Sequence, residues 1–178
     1  MNRWLLWLPL VVFGLLLALA LNSLTRQDGE GGHIVRSRMV GQALPALSLP
    51  AIVPGKPGVA PSDFTTGQPR LLNLFASWCV PCAVEAPQLA RMKAAGVVIV
   101  GVAVKDQPAE LQDFLARHGD PYAAVGSDPN SGTLPQLGAS GVPESFVIDG
   151  RGRIVAQHIG PIRDADVPEL LAALERAK

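Results

Sequence analysis

Cys79 and Cys82 are the only cysteines in this 178-residue chain, and two residues separate them in Trp78-Cys79-Val80-Pro81-Cys82. Two sulfurs at that spacing can bind a metal, attach a haem, or exchange with disulfides. A zinc site takes about four ligands, and beyond the pair there are only His33, His118 and His158, scattered along the chain with no ligand spacing. No metal site is expected. Haem attachment needs a histidine directly after the second cysteine, where Ala83 stands. An inert cross-link would close so short a loop that it removes little entropy from the unfolded chain. Dithiol–disulfide exchange remains, and the flanking residues suit it. The apolar run at residues 71–76 reads as a buried strand, and residues 80–95 carry a helical pattern ended by Gly96. The pair therefore lies at a helix N-terminus. Free N–H groups and the positive end of the macrodipole stabilise a thiolate there, and the thiolate is the nucleophile.

The two sulfurs take different roles. Cys79, nearest the helix end, is the expected nucleophile. Cys82, one turn on, can close the ring and release the product. Pro81 fits the first helical turn, where its missing N–H costs little. Trp78 offers an aromatic face beside the sulfur, for substrate binding. At 100° per residue, Glu85 projects between Leu89 and Met92 and within a turn of Cys82. That is the apolar face, where a solvated glutamate does not belong; the alternative is a surface glutamate at the boundary of that face. A carboxylate beside a buried thiol can take its proton, and its charge disfavours the thiolate.

The elements that must position these groups follow in alternation. After the strand and helix of the dithiol, residues 97–104 read as a strand covered on both faces. Residues 108–118 form a helix stopped by Gly119, and 122–125 a short strand. Residues 131–138 make a short helix or turn. Residues 145–149 and 154–158 make a hairpin around Gly150-Arg151-Gly152, and a last helix starts near Val167. This order predicts an α/β fold, a mixed central sheet with helices on both faces. Ahead of it, prolines punctuate residues 40–67, and the pieces 46–49 and 51–53 are expected to pair as an N-terminal hairpin extension.

Residues 4–21 are apolar, glycine or proline throughout. Eighteen residues at ~1.5 Å each span roughly 27 Å, close to a bilayer core. The reading is one transmembrane helix, residues 1–24, rather than a cleaved signal, with Ala18-Leu19-Ala20 the alternative cleavage site. Trp4 and Trp7 suit the membrane interface. Residues 25–39 read as a flexible tether and residues 40–178 as the folded domain. Either reading of the apolar segment exports the domain to a compartment where disulfide chemistry is at home. With 15 basic and 15 acidic residues the formal net charge is zero, so nothing electrostatic points to a nucleic-acid partner.

The stretch Asn73-Leu74-Phe75-Ala76-Ser77-Trp78-Cys79-Val80-Pro81-Cys82, with Glu85, Pro87 and Leu89, resembles the membrane-tethered thioredoxin-like proteins of cytochrome c maturation, the CcmG/DsbE family. So does Gly141-Val142-Pro143-Glu144-Ser145-Phe146-Val147-Ile148-Asp149. The resemblance covers residues 40–178 and implies a thioredoxin-like fold and a periplasmic thiol:disulfide oxidoreductase, single-pass in a bacterial inner membrane. It implies no cofactor beyond the Cys79–Cys82 redox-active disulfide. The implied substrate is apocytochrome c or another thiol protein of cytochrome c maturation, and the implied reductant a membrane thiol-transfer protein of the DsbD/CcdA type. A general periplasmic reductase of the TlpA/ResA type is the alternative, and a non-catalytic binding or chaperone module a more distant one. In the thioredoxin-like fold the proline matching Pro143 is cis and packs beside the disulfide, and the amide matching Val142 pairs with substrate backbone. Glu144 would add a second negative charge there. Thioredoxin's buried aspartate is replaced by Asn73, which cannot act as a base. In the resembling family a glutamate matching Glu85 takes part of that role.

Overall fold

Alternation and burial divide the strands of the sheet into two faces. A computed structural model of the chain describes residues 7–27, 33–35 and 37–178. Its contacts fall into two units, Met1–Glu30 and Gly31–Lys178. The first holds one helix, α1 (Leu8–Gln27), uncharged up to Arg26 and with Val11, Phe13 and Leu16 exposed. Among the described residues no helix is long and apolar enough to cross a membrane. The expected span begins at Trp4, which lies outside them.

The second unit is an α/β domain with strands β1 (His33–Val35), β2 (Arg70–Phe75), β3 (Ile99–Val104), β4 (Ala124–Asp128), β5 (Glu144–Ile148) and β6 (Ile154–Ile159). Its helices are α2 (Val80–Ala94), α3 (Pro108–His118), α4 (Thr133–Gln136) and α5 (Val167–Arg176), with a 3-10 turn at Pro61–Phe64. The sheet order is β1-β6-β5-β2-β3-β4. β2, β3 and β4 are parallel, and β5, β6 and β1 add antiparallel. β1 falls inside the stretch read as a tether.

Leu71, Phe75, Ala103 and Val147 face one side of the sheet, where Leu89 and Met92 of α2, Leu111, Phe114 and Leu115 of α3, and Leu170 and Leu174 of α5 close over them. The two β-α-β crossovers, β2-α2-β3 and β3-α3-β4, run in the same direction across the sheet and so put α2 and α3 on the same face. Leu72, Leu74, Val102, Phe146 and Ile148 face the other side, against Leu47, Val59, Phe64 and Leu137. Helices thus cover the faces unequally: the second is roofed mainly by the proline-rich segment and by the short α4.

That segment corrects one expectation. Residues 46–49 and 51–53 do not pair with each other. Leu49 exchanges backbone hydrogen bonds with Val59 (2.9 and 3.0 Å), and Ala51 bridges to Gly126. Pro50, Pro54 and Pro57 have no N–H to give a ladder, but their carbonyls can still accept. Those of Pro50 and Pro57 take the outward N–H groups of Ser127 (2.8 Å) and Val125 (2.9 Å). The segment therefore covers the free edge of β4. Two glycines permit that approach: a Cβ on Gly58 would lie 2.3 Å from the Leu49 carbonyl oxygen, and one on Gly126 would lie 2.6 Å from Leu49 Cβ.

Candidate active site

β2 delivers the dithiol. Its last residue, Phe75, is buried, and the chain leaves the sheet through Ala76-Ser77-Trp78 before α2 begins. Cys79 is the N-cap of α2 in extended conformation (φ −88°, ψ 104°), and its sulfur accepts the Cys82 amide N–H at 3.2 Å. The two are joined as a disulfide with Cα atoms 5.3 Å apart. Pro81 sits in the first turn as expected. Gly96, at φ +90°, ends the helix, with the amides of Gly96 and Val97 returning to Lys93 (2.9 Å) and Met92 (3.0 Å).

The loop before Cys79 is tied to the end of β3. Asp106, buried, accepts the Ser77 amide at 2.6 Å, the Ser77 hydroxyl at 2.6 Å and the Gln107 amide at 2.9 Å. The Trp78 indole N–H donates to the carbonyls of Val104 (3.2 Å) and Lys105 (3.1 Å), while 56% of the residue remains exposed. Trp78 is thus a fixed aromatic surface beside the sulfurs. Lys105 adopts φ +49°, rare for a side chain with a Cβ. Asp106 carried no signal in the sequence beyond its place after a strand.

Glu85 is completely buried. Its Oε1 accepts from Asn73 Nδ2 (3.0 Å) and its Oε2 from the Ile162 amide (3.0 Å). Burial raises its pKa from 4.5 to about 7, against the opposing effect of those two donors. The carboxyl therefore changes charge near neutral pH, on the same buried face of α2 as Cys82. Asn73, six residues before Cys79, is also fully buried. It donates to Ser145 Oγ (3.0 Å) and accepts from the Tyr122 hydroxyl (2.8 Å). The ring of Tyr122 stacks on Phe75 with centroids 4.3 Å apart. Burial, then the charges of Glu85 and Asp120, hold the Tyr122 hydroxyl far above the usual phenol range. It keeps its proton at every pH of interest.

Val142 and Pro143 are joined by a cis peptide, and Val142 packs against the cluster containing both cysteines. Glu144 is not brought to the dithiol in the way the sequence suggested. Side chains alternate along β5, and Ser145 faces Asn73 and Glu85. Glu144 therefore turns to the opposite face of the sheet, buried, where it accepts from the Ser140 amide (2.9 Å), the Ser140 hydroxyl (3.2 Å) and Gln157 Nε2. His158 is buried opposite Ser145, with Nε2 3.8 Å from Asp166 Oδ2. Among the described residues no group of three or more potential metal ligands converges.

The family model for Redoxin matches residues 39–174. The chain is 35% identical to the thiol:disulfide interchange protein HelX of Rhodobacter capsulatus over 164 residues, 92% of this chain and 91% of that protein. It is 35% identical to the thiol:disulfide interchange protein DsbE of Pseudomonas fluorescens over 177 residues, 99% and 96% of the two. A crystal structure of a DsbE protein from Chlorobium tepidum superposes with a TM-score of 0.65 at 31% identity, covering 76% of this chain and 94% of that one. The chain therefore belongs to the Redoxin family, among the thioredoxin-like thiol:disulfide interchange proteins of the DsbE/CcmG/HelX/CycY type, and is a thiol:disulfide oxidoreductase whose redox-active disulfide is Cys79–Cys82.

Proposed function

We propose that this protein works as a reductase outside the cytoplasm, opening disulfides of apocytochrome c or of a thiol protein that serves cytochrome c maturation. Reduced Cys79, as thiolate, attacks one sulfur of the substrate disulfide, and the other substrate sulfur leaves as a thiolate. Cys82 then gives its proton to Glu85 and attacks the Cys79 sulfur. The second substrate sulfur departs with the electron pair, and Cys79–Cys82 is left as the disulfide. Two electrons pass to the substrate. The Cys82 proton stays on Glu85 until it returns to solvent, and the departing substrate thiolates take their protons from solvent. The two electrons are restored by a dithiol donor, which for an exported domain is a membrane thiol-transfer protein of the DsbD/CcdA type.

The observation that carries this reading is Glu85, buried on the Cys82 face of α2 with no counter-charge among the described residues, its pKa pushed up by burial to about 7. A base is needed where Cys82 must ionise, and a carboxylate there opposes accumulation of thiolate. A less stable thiolate means a less stable reduced form and a stronger reductant. The exposed Trp78 and the Val142-Pro143 edge form the substrate-docking surface of this proposal, with Val142 offering backbone to an extended peptide. Glu144 helps shape that edge from behind, through Ser140 and Gln157.

We assign residues 1–24 as a single inner-membrane anchor, 25–39 as the connection, of which His33–Val35 joins the sheet as β1, and 40–178 as the rest of the periplasmic domain. The support is the uncharged run at residues 4–21 and the helical conformation of Leu8–Gln27. The test of function is capture: Cys82→Ser should hold substrate as a mixed disulfide on Cys79, released by reductant. Recovery of c-type apocytochromes or their thiol partners supports the proposal. Capture through Cys82 in a Cys79→Ser variant, with none through Cys79, overturns the assignment of roles.

A further inference from the structure

Glu85 is the end of a buried chain of hydrogen bonds that starts on a different element. The Tyr122 hydroxyl donates to Asn73 Oδ1 (2.8 Å), which leaves Asn73 Nδ2 to donate to Glu85 Oε1 and Ser145 Oγ, each at 3.0 Å. An asparagine side chain presents two chemically opposite ends of nearly the same shape. Turned over, Asn73 would offer its carbonyl oxygen to Glu85, an arrangement that suits the protonated acid and repels the carboxylate. Ser145 does not decide between the two, because a hydroxyl can donate or accept. The Tyr122 hydroxyl keeps its proton, and a buried O–H left without an acceptor is costly. It therefore favours the orientation in which Asn73 Oδ1 points to it.

The fold makes room for this contact. Gly101 of β3 is the cross-strand partner of Asn73, and a Cβ at Gly101 would lie 2.8 Å from Phe75 Cε1 and 2.9 Å from Tyr122 Cδ1. The missing side chain is what lets the Tyr122 ring lie across β3 and reach Asn73 on β2.

We propose that Tyr122 is a positioning residue of the redox site: by pinning the Asn73 amide it keeps Nδ2 on Glu85 and so favours the carboxylate as proton acceptor. The proposal deepens the reading of Glu85 given above and rests on it for its catalytic consequence. The charged and titratable groups facing Glu85 or its relay are Cys82 on its own helix, Tyr122 before β4 with Asp120 beside it, and His158 with Asp166 beyond Ser145.

The direct test is infrared difference spectroscopy of the full-length protein across pH 5–9. It follows the C=O stretch of the protonated carboxyl, identified by its loss in Glu85→Gln. Tyr122→Phe keeps the ring on Phe75 and removes only the hydroxyl. The expected result is an upward move of the Glu85 midpoint by about one pH unit, tenfold in the acid constant. Gly101→Ala, which displaces the ring, should move it the same way. A midpoint unchanged in Tyr122→Phe but moved in Asn73→Ala overturns the proposal, because Asn73 would then hold its orientation unaided. The same variants read by the pH profile of mixed-disulfide release separate the two claims. If Tyr122→Phe moves the infrared midpoint while Glu85→Gln leaves release unchanged, the positioning role stands and the catalytic reading of Glu85 falls.

Discussion

Replacing Glu85 by glutamine should make the protein's stability depend on pH in a way that reports the cost of burying this acid. Glu85 is fully buried, and burial raises its pKa from 4.5 to about 7. Between those pH values the folded state holds a proton that the unfolded state has already lost. The native protein therefore loses stability as pH rises through the window, and the loss is complete above pH 7. At about 1.4 kcal/mol per pH unit, the pH-dependent part comes to about 3 kcal/mol. Glutamine fills the same space and never ionises. It also accepts at one atom only, so Asn73 Nδ2 or the Ile162 amide loses its acceptor, costing ~1–3 kcal/mol at every pH. Guanidinium unfolding of the two oxidised proteins, followed by circular dichroism at pH 4, 6 and 8, separates these effects. The variant should be the less stable at pH 4 and should gain on the native protein by about 3 kcal/mol by pH 8. A stability difference constant from pH 4 to pH 8 would refute the claim that Glu85 is a desolvated acid titrating near neutrality.

Two further outcomes follow from the loop and the edge. Asp106→Ala orphans the Ser77 and Gln107 amides, at ~1–3 kcal/mol each if they stay buried. The oxidised protein should unfold at lower denaturant and exchange thiols more slowly, because Ser77 precedes Trp78 and Cys79. Gly58→Ala forces a Cβ into the Leu49 carbonyl, 2.3 Å away. It should destabilise the fold by several kcal/mol in denaturant melts, while Gly141→Ala, with no atom within 4 Å of its Cβ, should change little.

The redox pair, its place at a helix start and most elements were legible in the sequence because each has a local cause. C-x-x-C follows a strand, Gly96 and Gly119 stop helices, and Gly150-Arg151-Gly152 turns a hairpin. Glu85 was legible too, since a charge on an apolar helical face contradicts its surroundings. What was hidden is what depends on two distant segments meeting. Pieces 46–49 and 51–53 look like a hairpin, yet their partners are Val59 and the edge of β4. Glu144 follows Pro143 directly, but one step along a strand reverses the face. The Tyr122–Asn73 contact had one sequence trace, Gly101 interrupting an otherwise apolar strand, and the trace acquires meaning only once β2 and β3 are in register.

The central claim is that a buried acid keeps this dithiol reducing, and the reduction potential tests it most directly. Equilibrating the full-length protein against glutathione buffers, with alkylation to count free Cys79 and Cys82, gives that potential. The account predicts a value more negative than about −180 mV, shifted to less negative values by tens of millivolts in Glu85→Gln, at about 30 mV per 1.4 kcal/mol. A native potential near about −120 mV, where strong oxidants lie, or identical potentials for the native protein and Glu85→Gln, would contradict it.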